Sequence, residues 1–230
     1  MKILGFVKTS MVDYPGNIAS TIFLGGCNFR CPYCHNPDLA DNKGIELDKE
    51  KIFSFLKKRK GLIDGVCVSG GEPTIYSDLP SFLKDIKALG LKVKLDTNGS
   101  HPEMLKSVIE EGLVDYVAMD VKSSFQQYNA ASGVHVDMEK IKNSIGILKN
   151  STVQYEFRTT MVPRFVQRED FEKVCKSLEG AKNFFIQQFD PRTELMNNEL
   201  KKERLYPPDK MQDFLTLAKP YFEKCELRNL

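Results

Sequence analysis

The chain is 230 residues long, 41% hydrophobic and 28% charged, with 33 basic residues against 31 acidic ones and a net charge of +2. That near-balance, without a polybasic tail, gives no reason to expect nucleic acid as a partner, and no run approaches the ~18 apolar residues of a membrane span. The length suits one sizeable hydrophobic core, so residues 1–230 are expected to form a single domain.

The opening MKILGFVKTSMVDYPG soon turns polar and lacks the apolar stretch of a signal peptide, which predicts a cytoplasmic protein. A first strand is predicted over Ile18–Leu24, and it runs into GGCNFRCPYCHNP, where Cys27, Cys31 and Cys34 form a C-x3-C-x2-C run. Asp48–Arg59 reads as an amphipathic helix, and the basic run Lys57–Gly61 at its end suits a helix C-terminus. A strand over Asp64–Ser69 leads into SGGEPT, a helix follows over Asp78–Gly90, and a strand over Leu91–Thr97 leads into DTNG. A helix over Pro102–Gly112 precedes a strand over Asp115–Val121 that carries Asp120, with Lys122 just beyond it. Then come a helix over Asp137–Asn150, a strand over Thr152–Met161 carrying Arg158, a helix over Arg168–Gly180 and a strand over Asn183–Phe189 ending in QQFDP. A helical run over Pro208–Cys225 closes the chain, and Gly90, Gly112 and Gly180 punctuate helix ends.

Strands that alternate with helices predict an α/β fold with a parallel sheet and right-handed crossovers, either a partial barrel or a doubly wound open sheet. In both, chemistry gathers at the C-terminal strand ends. All six predicted strands deliver something polar or metal-binding to that rim.

Three thiols in one loop can each bind one iron of a [4Fe-4S] cluster and leave the fourth iron open, much as catalytic zinc keeps an open position. A zinc site completed by His35 is the other reading of the loop. Cys67, Cys175 and Cys225 stand alone in apolar patterns and read as small hydrophobes, with disulfides not expected in a reducing compartment. Gly70 and Gly71 would let a ligand approach the backbone. Asp120 and Lys122 fall on one strand face, where they suit either a ligand or a plain ion pair. The Arg158 guanidinium suits a bidentate carboxylate clamp.

CNFRCPYCHNP, with Tyr33 before the last cysteine, resembles the signature of the radical S-adenosylmethionine (SAM) superfamily. YCHN at 33–36, SGGEP at 69–73, DTNG at 96–99 and DVK at 120–122 together resemble the glycyl radical enzyme activases. The stretch Lys8–Pro37 is similar to the longer activases of anaerobic ribonucleoside-triphosphate reductases. The resemblance implies a partial (β/α)6 TIM-like barrel, one [4Fe-4S] cluster on Cys27, Cys31 and Cys34, and SAM on the open iron. It implies cleavage of SAM to a 5′-deoxyadenosyl radical that takes a hydrogen atom from a glycine of a partner, an anaerobic ribonucleotide reductase. A flavodoxin- or ferredoxin-type protein would supply the electron. It also assigns roles: Gly70, Gly71 and Glu72 at the SAM amino group, Lys122 on the SAM carboxylate, and a monovalent cation beside Asp96 and Asp120. Thr97 and Asn98 would reach the ribose or shape the turn, Arg158 would lie near SAM, and Tyr33, His35 and Asn36 would border SAM and the target glycine.

At the sixth strand the sequence departs from pyruvate formate-lyase activase, with QQFDP in place of a histidine-containing segment, and Gln188 is the candidate contact there. No second cysteine-rich insert follows the first strand, so one cluster is expected. The chain has no RVxGY-like glycine motif, so the radical would be placed on another protein. Rival readings are a radical SAM enzyme acting on a small molecule or another peptide, and an iron-sulfur electron-transfer module without SAM chemistry.

Overall fold

The computed structural model describes residues 1–228. Runs rich in β-branched and apolar residues become eight strands: β1 (Ile3–Ser10), β2 (Ala19–Leu24), β3 (Gly65–Gly70), β4 (Lys92–Thr97), β5 (Tyr116–Asp120), β6 (Gln154–Met161), β7 (Asn183–Gln188) and β8 (Lys224–Arg228). They form one sheet in chain order. β1 pairs antiparallel with β2, and every later neighbour pairs in parallel. β1 and β8 are its two edges, so the sheet is an open partial barrel and not a closed one.

The intervening segments form α1 (Pro37–Ala40), α2 (Lys49–Lys58), α3 (Leu79–Ala88), α4 (Pro102–Glu110), α5 (Tyr128–Ser132), α6 (Met138–Asn150), α7 (Arg168–Ser177) and α8 (Pro208–Ala218). Local chemistry sets where they begin. The Asp48 side chain accepts from Lys51 N at 3.0 Å and Asp137 from Glu139 N at 3.0 Å, each satisfying a free amide of a first turn. Lys57 and Lys58 lie in the last turn of α2, where the helix dipole favours cations.

Each helix turns one apolar stripe to the sheet. In α3, Leu79, Phe82, Leu83 and Ile86 are buried at helical spacing, each worth about 1.5–3 kcal/mol of burial. The strands carry apolar residues outward to these helices, as with Val66 and Val68 of β3 and Val117 and Met119 of β5. The inner positions are different in kind. Cys67, Ser69, Lys94, Asp96, Asp120, Glu156, Arg158, Thr160 and Gln187 alternate with the apolar residues, so the barrel interior is polar and charged. A small apolar cluster of Tyr14, Ala19, Tyr116 and Ala118 packs apart from the main core.

The six predicted strands correspond to β2 through β7, each within a residue or two. Three features depart from the sequence reading. An N-terminal strand, β1, extends the sheet beyond the first predicted strand. The closing run Pro208–Cys225 is not one helix: α8 stops at Ala218, and the chain re-enters the sheet as β8. The short helices α1 and α5 lie in segments to which the sequence reading assigns no element. All six cysteines are free, with Cys67 and Cys175 fully buried. No helix among the described residues is long and apolar enough to cross a membrane.

Candidate active site

The cysteine loop leaves the C-terminal end of β2 and is fixed by backbone bonds to three other parts of the chain. Gly26 N and Cys27 N donate to Leu39 O and Ala40 O of α1 at 2.7 and 3.1 Å. Arg30 N donates to Ser132 O at the end of α5 at 2.8 Å. On the far side, Met196 N and Asn197 N donate to Cys34 O and Pro32 O at 3.0 and 2.8 Å. Within the loop, Phe29 N lies 3.3 Å from Cys27 Sγ and Asn36 N lies 3.4 Å from Cys34 Sγ, both as donors. Burial pushes the Cys27 thiol up to about 12 and also raises Cys31, while the nearby Lys122 ammonium acts in the opposite sense on both. Among the described residues, no three His, Cys, Asp or Glu side chains are grouped to hold a single metal ion.

The SGGEP turn is welded to that loop. Gly71 N donates to Leu24 O and Glu72 N to Gly26 O, both at 2.8 Å. A Cβ on Gly70 would fall 2.2 Å from Leu24 O, and one on Gly71 would fall 1.9 Å from Gly26 O. Close approach of backbone to backbone, more than approach of a ligand, is what excludes side chains here. Glu72 is 1% exposed, and its carboxylate faces inward to the protein. It accepts from Thr74 N at 3.0 Å, the Thr74 hydroxyl, Thr97 Oγ1 at 2.8 Å and Asn98 N at 2.6 Å. Glu72 thus ties the SGGEP turn to the DTNG turn. Asn98 continues the chain of contacts, its Nδ2 donating to Asn28 Oδ1 at 3.0 Å in the cysteine loop.

Charged residues of β4, β5 and β6 meet on the inner face. Arg158 Nε donates to Asp120 Oδ1 at 2.7 Å, and its Nη1 is 3.7 Å from Asp96 Oδ2. Lys122 Nζ bonds Asp120 Oδ2 at 3.0 Å, and Ser69 Oγ donates to Asp96 Oδ2 at 3.0 Å. Burial alone would raise both carboxyls, but the neighbouring cations outweigh it and hold Asp96 and Asp120 below the usual carboxylate range. The same carboxylates hold Lys122 and Arg158 above their usual values against burial.

These groups share one cavity of about 480 Å³, a volume in the range of small-molecule sites. It is lined by every residue singled out from the sequence except Gln188. Gln188 Nε2 donates to Tyr206 O at 3.3 Å, and its neighbour Gln187 takes the place on the cavity wall. The correction follows from strand parity: Gln187 pairs with Thr160, which also lines the cavity. Asp13, Phe29 and Ser69 line it as well and were not picked out by sequence. Tyr33 packs against Phe165 and Phe189, and its buried hydroxyl has no partner among the described residues. His35 lies parallel to Phe189 with ring centres 6.2 Å apart, and its Nε2 is 2.9 Å from Asp190 O.

A family description, the radical SAM superfamily, matches residues 21–178. A protein of Methanocaldococcus jannaschii that carries the provisional name glycyl-radical enzyme activating enzyme is 35% identical to this chain, covering 99% of it and 96% of that protein. The pyruvate formate-lyase-activating enzyme of Clostridium pasteurianum is 29% identical, covering 98% of this chain and 95% of its own. Among solved structures, a domain of a pyruvate formate-lyase-activating enzyme from Bacteroides vulgatus superposes with a TM-score of 0.58 at 16% identity, covering 72% of this chain and 99% of that one. That last likeness is one of fold.

Proposed function

The chain belongs to the radical SAM superfamily, in its glycyl-radical enzyme activating branch, and we propose that the glycine it oxidises lies on an anaerobic ribonucleotide reductase. The family implies a [4Fe-4S] cluster and SAM, and the residues present suit them. Three free thiols line one cavity, two of them already accept backbone N–H bonds, and cationic side chains stand beside them. When bound, the cluster and SAM supply the one-electron chemistry that yields a radical able to take a hydrogen atom from carbon.

The protein's share is positioning and charge. Cys27, Cys31 and Cys34 would hold the cluster, and Lys122, close enough to favour thiolates at Cys27 and Cys31, would also meet the SAM carboxylate. Gly70 and Gly71 would offer carbonyl oxygens to the SAM amino group. Glu72 would serve that contact indirectly, because its own oxygens are spent on Thr74, Thr97 and Asn98. Arg158 would orient Asp120 at the cavity floor, and Gln187 replaces Gln188 as the candidate on β7. Tyr33, His35 and Asn36 would form the wall nearest the target glycine, and Thr97 and Asn98 would shape the ribose side. We take residues 1–230 as one catalytic domain, a reading supported by a single sheet running from β1 to β8. A flavodoxin- or ferredoxin-type electron donor and a cytoplasmic setting belong to the same proposal.

The observation that carries the reading is the sharing of one cavity by the three thiols and the polar residues at the ends of β3 through β6. The choice of partner is supported by the likeness of Lys8–Pro37 to the longer activases. The test is anaerobic incubation of the cluster-loaded protein, reductant and SAM with an anaerobic ribonucleotide reductase or with pyruvate formate-lyase. A glycyl radical signal in electron paramagnetic resonance on the reductase alone is expected. A signal only on the lyase would overturn the choice of partner.

A further inference from the structure

Lys94 stands two residues before Asp96 on β4, so strand geometry puts both on the inner face of the barrel. Lysine is almost never buried unless it is paired. Lys94 is 2% exposed, its Nζ is bonded to Asp96 Oδ1, and Cys67 Sγ lies 3.7 Å away. The ammonium is therefore a fixed charge inside the barrel, beside the wall that the cavity shares with Asp96 and Arg158.

The four oxygens of Asp96 and Asp120 can be accounted for one by one. Asp96 Oδ1 is taken by Lys94, and Asp96 Oδ2 by Ser69 Oγ at 3.0 Å with Arg158 at 3.7 Å. Asp120 Oδ1 is taken by Arg158 Nε at 2.7 Å, and Asp120 Oδ2 by Lys122 Nζ at 3.0 Å. Two carboxylates thus face three side-chain cations. Glu156, the next inner carboxylate, is matched separately by both nitrogens of Arg228 at 2.7 and 2.8 Å. A sodium or potassium ion between Asp96 and Asp120 would have to share each oxygen with a donor already on it and would sit against three positive groups. Besides Asp13, whose Oδ2 accepts from Thr21 Oγ1 at 2.5 Å on the same cavity wall, the negative charge to be matched there is the carboxylate of SAM.

We infer that the Lys94 ammonium takes the place of the monovalent cation expected beside Asp96 and Asp120, so that SAM binding by this chain does not depend on potassium or sodium. The inference rests on the activase reading for its ligand. Lys94 acts as a positioning residue, through Asp96 and not by touching SAM.

The test uses cluster-loaded protein and SAM in equilibrium dialysis, with potassium, sodium or choline chloride at equal ionic strength. The wild-type dissociation constant is expected to vary by no more than about twofold across the three salts, the limit of a site with no linked cation. Lys94→Met, close in volume, is expected to bind SAM about tenfold or more weakly in choline and to recover in potassium chloride, as a linked cation requires. A wild-type protein that binds about tenfold tighter in potassium than in choline would overturn the inference, as would Lys94→Met binding like wild type in choline. Urea midpoints without SAM give a second readout. Wild type and Lys94→Arg are expected to be indifferent to the choice of salt, and Lys94→Met to be stabilised by potassium chloride. Potassium-dependent stabilisation of the wild type would overturn the inference even if Lys94→Met did not fold. Absence of SAM binding in every salt would count against the activase reading, and the urea comparison would still decide the role of Lys94.

Discussion

Replacing Gly71 by alanine tests the junction between the SGGEP turn and the cysteine loop. The added Cβ would lie 1.9 Å from Gly26 O and 2.5 Å from Gly26 C, both backbone atoms. A carbon and a carbonyl oxygen normally stay about 3.3 Å apart, so turn and loop must separate by more than about 1 Å. That separation strains or breaks the 2.8 Å bond from Glu72 N to Gly26 O, next to the first cysteine. Overpacking costs about 1–3 kcal/mol and an orphaned buried amide about 1–3 kcal/mol, which together make about 2–6 kcal/mol. Gly146, inside α6, is the control, because a Cβ there meets nothing within 4 Å. Gly146→Ala should stabilise the protein by about 0.5–1 kcal/mol through helix propensity alone. The assay is urea denaturation followed by circular dichroism, with iron bound per chain after anaerobic reconstitution. Gly71→Ala should lose both stability and iron. Wild-type values for both would refute the claim that this junction places the cysteine loop.

Arg158→Ala removes one of the two cations on Asp120 and the longer contact to Asp96, while Lys122 and Lys94 remain, so the protein should lose stability, but less than the about 3–5 kcal/mol of a buried charge left wholly unpaired. A urea midpoint equal to wild type would contradict this. Asp96 and Asp120 are held below the usual carboxylate range by Lys94, Arg158 and Lys122, against burial. The sign is that of a depressed acid: their contribution is complete above about pH 4 and is lost as pH falls toward the folded-state values. Stability should therefore decline on acidification below about pH 4, and Asp120→Asn should flatten that decline. A pH profile with the same slope in both proteins would refute the assignment to Asp120.

The elements β2 to β7 could be read from sequence because each is written locally, as an apolar run that ends in a polar turn. The cavity residues could be read for the same reason, since parallel strands bring their C-terminal ends to one rim. The edges were harder. β1 is half-exposed, antiparallel and interrupted by register shifts between Ile3 and Gly5 and between Val7 and Ser10, so no clean alternation marks it. β8 has five residues, of which only Cys225 and Leu227 are apolar. Pro220 was the available signal there, because proline cannot continue a helix and α8 ends two residues before it.

Inside the barrel the difficulty was of another kind. A lysine in a strand reads as solvent-facing by its charge, and only its parity with Asp96 places Lys94 inward. The same parity argument selects Gln187 over Gln188, once Thr160 is known to face the cavity. Gly70 and Gly71 were legible as a close approach, but not which backbone approaches, since Leu24 and Gly26 meet them only through the pairing of β2 with β3.

The most direct test of the central claim is chemical. The protein is reconstituted anaerobically with iron and sulfide, reduced with dithionite and given SAM, and 5′-deoxyadenosine is quantified beside a Cys31→Ala control. The account predicts product from the wild type and none from the control. No product from a wild type holding about four irons per chain, the content of one such cluster, would contradict it.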